Sequence, residues 1–165
     1  MTTNRLITFL FVFLLACACH TTAQKITITE SEASYLCDEV GLLNEEQRQE
    51  ILSLLTEHNK KSLGRIYLDI IQKLPAGKTI EQYSYDRLNE QPRNTNERTD
   101  KILLAVVVED KSVRIETSRD VWPILSDDYC HRVNREIMIP KFKTGAYFDG
   151  IRSGIEALIQ KLEKT

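Results

Sequence analysis

The chain has 165 residues, long enough for one domain and too short for two comfortable ones. Apolar residues make up 42% and charged residues 28%, ordinary values for a globular protein, and the formal charge is −2. Acids and bases alternate along the chain and build no basic stripe, so nucleic acid is excluded as an expected partner.

The N-terminus opens with Arg5 and an apolar run over 6–18 (LITFLFVFLLACA), broken only by Thr8. Such a run is shorter than the roughly 20 residues needed to span a bilayer, and it suits the core of a signal peptide. Residues 1–23 are therefore expected to direct export. Thr21-Thr22-Ala23 offers a cleavage site before Gln24. Leu14-Leu15-Ala16-Cys17 offers a lipobox instead, with cleavage before an acylated Cys17; Cys19 has a poorer version of that context. A lipid on Cys17 would be the sole attachment to a membrane. Cleavage before Gln24 removes Arg5 as a formal charge and leaves two cysteines, Cys37 and Cys130. In an oxidising compartment these two could form a disulfide; the alternative is two small, buried apolar residues, and Cys130 shares a helical face with Val133 and Ile137.

Residues 24–33 (QKITITESEA) read as a tether or a short edge strand, and 34–165 as the folded domain. A short apolar run, Tyr35-Leu36-Cys37, closes on Asp38. Asn44 with Gln47 then signals a capping box, opening a helix that carries Ile51, Leu54, Leu55 and His58. His58 is expected as a solvated residue at the end of that helix. The stretch 65–72 (RIYLDIIQ) reads as a strand, and Asp69 inside it either pairs with a basic residue, the favoured reading, or sits on a wet face. A turn at Pro75-Ala76-Gly77 leads to a second capping box, Thr79 with Gln82, and a helix through Leu88. Residues 90–99 are polar throughout and read as a solvated loop.

The run 101–108 (KILLAVVV) predicts a strand buried on both faces. A tight turn over 109–111 joins it to an alternating strand over 112–117, so the pair is expected as an antiparallel hairpin. Ser126 caps a helix carrying Cys130, Val133 and Ile137, which Pro140 is expected to stop. The last helix repeats Ile151, Ile155, Leu158, Ile159 and Leu162 at a period near 3.6. Strands alternate with helices, which predicts an α/β fold with a mixed sheet covered on both faces.

The chain has no Gly-rich phosphate loop, no CxxC, no HExxH and no GxSxG. Its histidines, His20, His58 and His131, lack metal-ligand spacing. Cys130 and His131 are helical neighbours pointing about 100° apart, which argues against a nucleophile pair. No catalytic residue is assigned. What remains is a set of carboxylates at element ends: Asp38 after the first apolar run, Asp100 before the central strand, and Asp127 and Asp128 behind Ser126. Gathered at one end of a sheet, such acids would hold calcium or magnesium. Taken one at a time they are ordinary helix-capping residues.

The order of these segments resembles the TPM domain family. Asp38 with Leu42-Leu43-Asn44-Glu45-Glu46 is similar to its opening, and Ala76-Gly77-Lys78-Thr79-Ile80-Glu81-Gln82-Tyr83 to the start of its second helix. Asp100-Lys101 before Ile102-Leu103-Leu104, with Val113-Arg114-Ile115-Glu116, is similar to its central hairpin. Leu125-Ser126-Asp127 and the stretch from Ile139 through Ile151 match most closely, and the likeness runs from about Tyr35 to Leu162. The resemblance implies a three-layer α/β/α sandwich with a mostly parallel mixed sheet and one antiparallel hairpin. It also implies a location outside the cytoplasm or in the thylakoid lumen. Family roles include acid phosphatases, calcium binders and accessory proteins of membrane complexes. Carried over by position, Asp38, Asp100 and Asp127 are the family's recurrent acids.

One segment departs from the pattern. The usual Gly-x-Gly-Leu-Glu reads Ser118-Arg119-Asp120-Val121-Trp122, and no glycine follows the acid at the central strand. The expected function is an exported, monomeric, divalent-cation-binding accessory module with an envelope or membrane-associated protein partner. The alternative is an acid phosphatase using a carboxylate-bound metal.

Overall fold

The computed structural model describes residues 35–61, 64–91 and 100–164. The predicted export signal, Cys17, His20, the tether and residues 92–99 of the polar loop lie outside them. The elements follow in the order β1 (Leu36–Asp38), α1 (Glu45–Lys61), β2 (Arg65–Ile71), α2 (Ile80–Glu90), β3 (Lys101–Val107) and β4 (Ser112–Thr117). A continuous helical stretch then comprises α3 (Asp127–Arg132), a π-helical segment (Val133–Met138) and α4 (Ile139–Lys143), before α5 (Tyr147–Glu163) closes the fold. The strands lie in the order β1-β2-β3-β4. β1, β2 and β3 are parallel, and β4 returns antiparallel beside β3. This is the expected α/β sandwich.

Both capping boxes form. The Asn44 amide donates to Gln47 Oε1 at 3.1 Å while the Gln47 amide donates to Asn44 Oδ1 at 2.9 Å. Thr79 and Gln82 make the same reciprocal pair. Each box fixes where its helix begins, so the apolar stripe of α1 arrives in phase with the sheet. Ile51, Leu52 and Leu55 meet Ile66, Leu68, Ile70, Ile102, Leu104 and Val106 on one face, together with the buried stripe of α5. On the other face α2 brings Leu88 against Tyr67, Leu103 and Ala105. With helices on both faces, every residue of β3 is buried, as its uninterrupted apolar run required.

Among the described residues β1 pairs only Leu68, Asp69 and Ile70 of β2, and the backbone of Ile66 faces the same side. The Asn59 side chain meets it: its Nδ2 donates to Ile66 O at 2.9 Å and the Ile66 amide donates to its Oδ1 at 2.8 Å. A side-chain amide here stands in for one residue of a strand. His58, expected in solvent, is buried, with Nε2 3.0 Å from the Gly64 carbonyl oxygen. α1 packs its C-terminal turn against the start of β2, and that closes water out of the imidazole.

Pro140 does not stop the helix it was expected to stop. A proline inside an α-helix lacks a donor and its ring crowds the carbonyl four residues back. The π-helical segment removes the conflict. There the Ile139 amide reaches back five residues to Asn134 O, so Pro140 falls in the first turn of α4, where a donor is dispensable. The segment then packs directly on α5, and glycine makes that approach possible. A Cβ at Gly154 would lie 2.6 Å from Met138 Sδ, and one at Gly150 2.4 Å from Phe142 Cε1. Met138 is fully buried and has little room to yield. Gly154→Ala should therefore destabilise the protein by about 1–3 kcal/mol through overpacking, read as a lower urea midpoint; an unchanged midpoint would show that Met138 moves aside freely.

Candidate functional site

The four predicted aspartates occupy three separate places. Asp38 ends β1, and its two carboxylate oxygens accept from the Leu42 and Leu43 amides at 3.1 and 3.0 Å, which ties down the turn into α1. Asp100 precedes β3 at the opposite end of the parallel strands: Asp38 pairs with Ile70, whereas the neighbour of Asp100, Lys101, pairs with Arg65. Five residues of strand separate those two levels, about 17 Å at 3.3 Å per residue. Asp100 Oδ2 accepts from the Gly64 amide at 3.1 Å, on the same glycine whose carbonyl lies against His58. Asp127 and Asp128 open α3, and Asp127 lies beside Val113, Arg114 and Ile115 of β4, which is three strand spacings from β1, about 14 Å. Asp128 is paired with Arg132.

Calcium and magnesium need several oxygens converging on one point. Among the described residues no group of three or more His, Cys, Asp or Glu side chains could hold a metal ion. The acids expected to form that group serve a turn, a strand start and a helix start, so they do not fit a shared cation. The cysteines are also apart. Cys37 pairs in register with Asp69 and shares its face of the sheet, under α2, whereas Cys130 lies in the core on the other face; both are free thiols. A disulfide needs Cα atoms within about 7 Å. Burial, with the charge of Asp127 behind it, pushes the Cys130 thiol up to about 11. It is therefore a protonated core residue at neutral pH, and no nucleophile.

The concentrated chemistry lies beneath α2. Asp69 is 2% exposed on the central strand β2. Its Oδ2 accepts from the Tyr83 hydroxyl at 2.6 Å and from Arg87 Nε at 2.8 Å, which supplies the basic partner its position demanded. Burial and the bond to Asp69 drive the Tyr83 phenol far up. Burial alone would lower Arg87, but the bond and charge of Asp69 more than reverse this. Burial and the adjacent Asp69 charge also raise the Cys37 thiol. One helical turn further on, Lys101 Nζ donates to Leu88 O at 2.7 Å and Gln91 O at 2.9 Å, capping the C-terminus of α2 from the first residue of β3. Sequence reasoning passed over Lys101 as a mere boundary. A lysine opening an otherwise apolar, doubly covered strand was the available signal, since a buried ammonium requires acceptors.

Two surfaces stand out. The loop from Ser118 to Leu125 is pinned by the buried Val121 and Leu125, whose amides donate to Ser118 O at 3.0 Å and Val121 O at 2.9 Å. Between these anchors Trp122 projects, 55% exposed. Beside the outer strand runs an open groove of about 650 Å³ between α2 and β4, lined by Lys78, Glu81, Tyr85, Asp86, Arg114 and Glu116.

The sequence profile of the TPM domain matches residues 36–161, most of the chain. This chain belongs to the TPM domain family. Two solved structures share its fold. The N-terminal domain of a protein from P. gingivalis, determined by solution NMR, superposes with a TM-score of 0.65 at 22% identity, over 82% of this chain and 85% of that one. The BA42 protein of the psychrophilic bacterium Bizionia argentinensis superposes with a TM-score of 0.61 at 20% identity, over 74% and 82%. No curated protein matches the sequence.

Two outcomes follow from this geometry. Arg87→Met keeps most of the side chain's bulk but leaves Asp69 as a buried charge without its cation. The expected cost is about 3 kcal/mol, the low end for breaking a buried pair because Arg87 is itself about a third exposed. Chemical denaturation would show it, and a loss near zero would mean that Tyr83 alone satisfies the carboxylate. Burial also holds His58 below its ordinary value, against a smaller upward pull from the Gly64 carbonyl. The unfolded chain takes up this proton near pH 6.5, before the folded one does. Stability is then complete above that pH and falls as pH drops below it. The melting temperature should decline from pH 7.5 to 5.5, and decline less in His58→Gln; parallel curves would assign the effect elsewhere.

Proposed function

We propose that this TPM domain is an exported accessory module of the cell envelope that holds a protein partner through the loop between β4 and α3. Trp122 carries the reading. Tryptophan is enriched among residues that dominate binding energy, and an indole left in water beside a well-anchored backbone has its ordering cost met in advance. Arg119 and Asp120, both exposed in the same loop, supply a polar rim to that anchor. The signal-like residues 1–23 support export, with acylation of Cys17 as the route to membrane attachment. No helix among the described residues is long and apolar enough to cross a membrane. A hydrolytic role would require carboxylates that gather around a metal and a water, whereas Asp38 and Asp100 stand at opposite ends of the parallel strands.

A photoreactive amino acid at position 122 tests the proposal in the native envelope. Irradiation should join the chain to one discrete envelope protein, while the same probe at Lys164 should not. Trp122→Ala should abolish competition for that adduct and leave the melting temperature unchanged. Equal labelling from both positions would overturn the assignment. Calcium and magnesium titrations should leave the amide signals of residues 38–43 and 126–129 in place. Metal-dependent hydrolysis of a simple phosphomonoester, lost in Asp127→Asn, would restore the phosphatase reading instead.

A further inference from the structure

β4 is the outer strand of the sheet, and among the described residues no strand lies beyond it. The Ser118 amide donates to Lys101 O at 2.8 Å. Counting back along the antiparallel register, the backbone groups of Glu116, Arg114 and Ser112 face β3. Those of Val113, Ile115 and Thr117 therefore point outward. Unpaired edges of this kind attract other strands unless something repels them. Within β4 itself, Arg114 and Glu116 carry opposite charges, so an antiparallel copy centred on Ile115 meets no like charge along the strand.

We propose that this edge is the seam of a homodimer, in which β4 of one copy pairs antiparallel with β4 of another about a two-fold axis at Ile115. Ile115 then faces its own copy, Val113 faces Thr117, and Arg114 faces Glu116 in both directions. The outward backbone groups of Val113, Ile115 and Thr117 exchange bonds with those same groups on the partner strand, so the phase of the ladder and the phase of the charges agree. Arg114 and Glu116 already share a bond of 2.8 Å along the strand, and Arg114 also reaches Glu81 of α2 at 3.9 Å. Two such sets meeting at the seam place each guanidinium between two carboxylates. Opposite charges directly across an antiparallel pair stabilise it, whereas like charges would disfavour it.

The helices fit the same arrangement. α2 lies over β3 and β4, so its axis stands about one strand spacing from the seam. The two copies of α2 would then run about 10 Å apart, the upper end of ordinary helix packing. The space between them is the open groove beside β4, and Tyr85, 61% exposed on its wall, would be covered by the partner's α2. A smaller crevice of about 170 Å³ exposes Val113, Arg114 and Ile115 between Ile80 and Glu81 of α2 and Asp127 and His131 of α3, so a partner strand at this edge would lie between the two helices.

Sedimentation or light scattering of the purified chain across a concentration series should give twice the chain mass. Arg114→Glu and Glu116→Arg should each halve it by setting like charges across the seam. Mixed in equal amounts, the two variants should recover the double mass, because every facing pair is then opposite in sign. Val113→Pro removes only an outward donor, keeps the bonds to β3, and should also give the single mass with an unchanged far-UV spectrum. A wild type that stays at single mass at every concentration overturns the proposal. So do charge variants that remain dimeric, or a mixture that fails to recover the mass.

Discussion

Asp69 is the residue on which the architecture turns. A carboxylate on the central strand of a doubly covered sheet cannot be left without donors, and the donors come from a single helix. Tyr83 and Arg87 are one turn apart on α2 and reach the same oxygen. The helix is thereby fixed in rotation and in height above the sheet, which apolar contact alone would fix only loosely. Its other end is held by Lys101, whose ammonium closes the carbonyls of the last turn. With α2 held at both ends, Glu81 and Tyr85 are turned toward β4, and the groove beside the outer strand takes its shape.

The aspartates illustrate how the same residue type serves different ends. Asp38, Asp100 and Asp128 lie at element boundaries, where amides or a nearby guanidinium offer them partners. Their recurrence at strand and helix ends is what local folding asks of a short carboxylate. A cation site asks for the same residues and adds a demand for convergence. In this chain the convergence fails on topology: one acid stands at each end of the parallel strands, and the remaining two open the helix beside β4.

The long helical stretch after Ser126 shows a different economy. Pro140 would break a regular helix, and the π-helical segment shifts the bonding pattern one residue ahead of it, so the chain stays helical through Lys143. The wider turn brings Met138 and Phe142 against α5, and Gly150 and Gly154 make room for them. Proline, π-helical segment and glycine pair therefore form one packing unit, although they are scattered over the sequence.

The sequence by itself determined β2, β3 and β4, the starts of α1, α2 and α3 and the two-faced burial of β3, because capping signals and apolar periodicity act between residues close in the chain. It also favoured a paired Asp69 over one on a wet face, since desolvation of a charge depends on the strand's burial and not on who the partner is. Only the tertiary structure decided that Arg87 and Tyr83 are those partners. It alone decided that His58 is buried, that Asn59 replaces a missing strand residue, and that the helix survives Pro140. It also decided that the aspartates disperse, and that Cys37 and Cys130 lie on opposite faces. These outcomes depend on which faces and which ends of the sheet come together, and residues far apart in the chain carry no local signal of that distance.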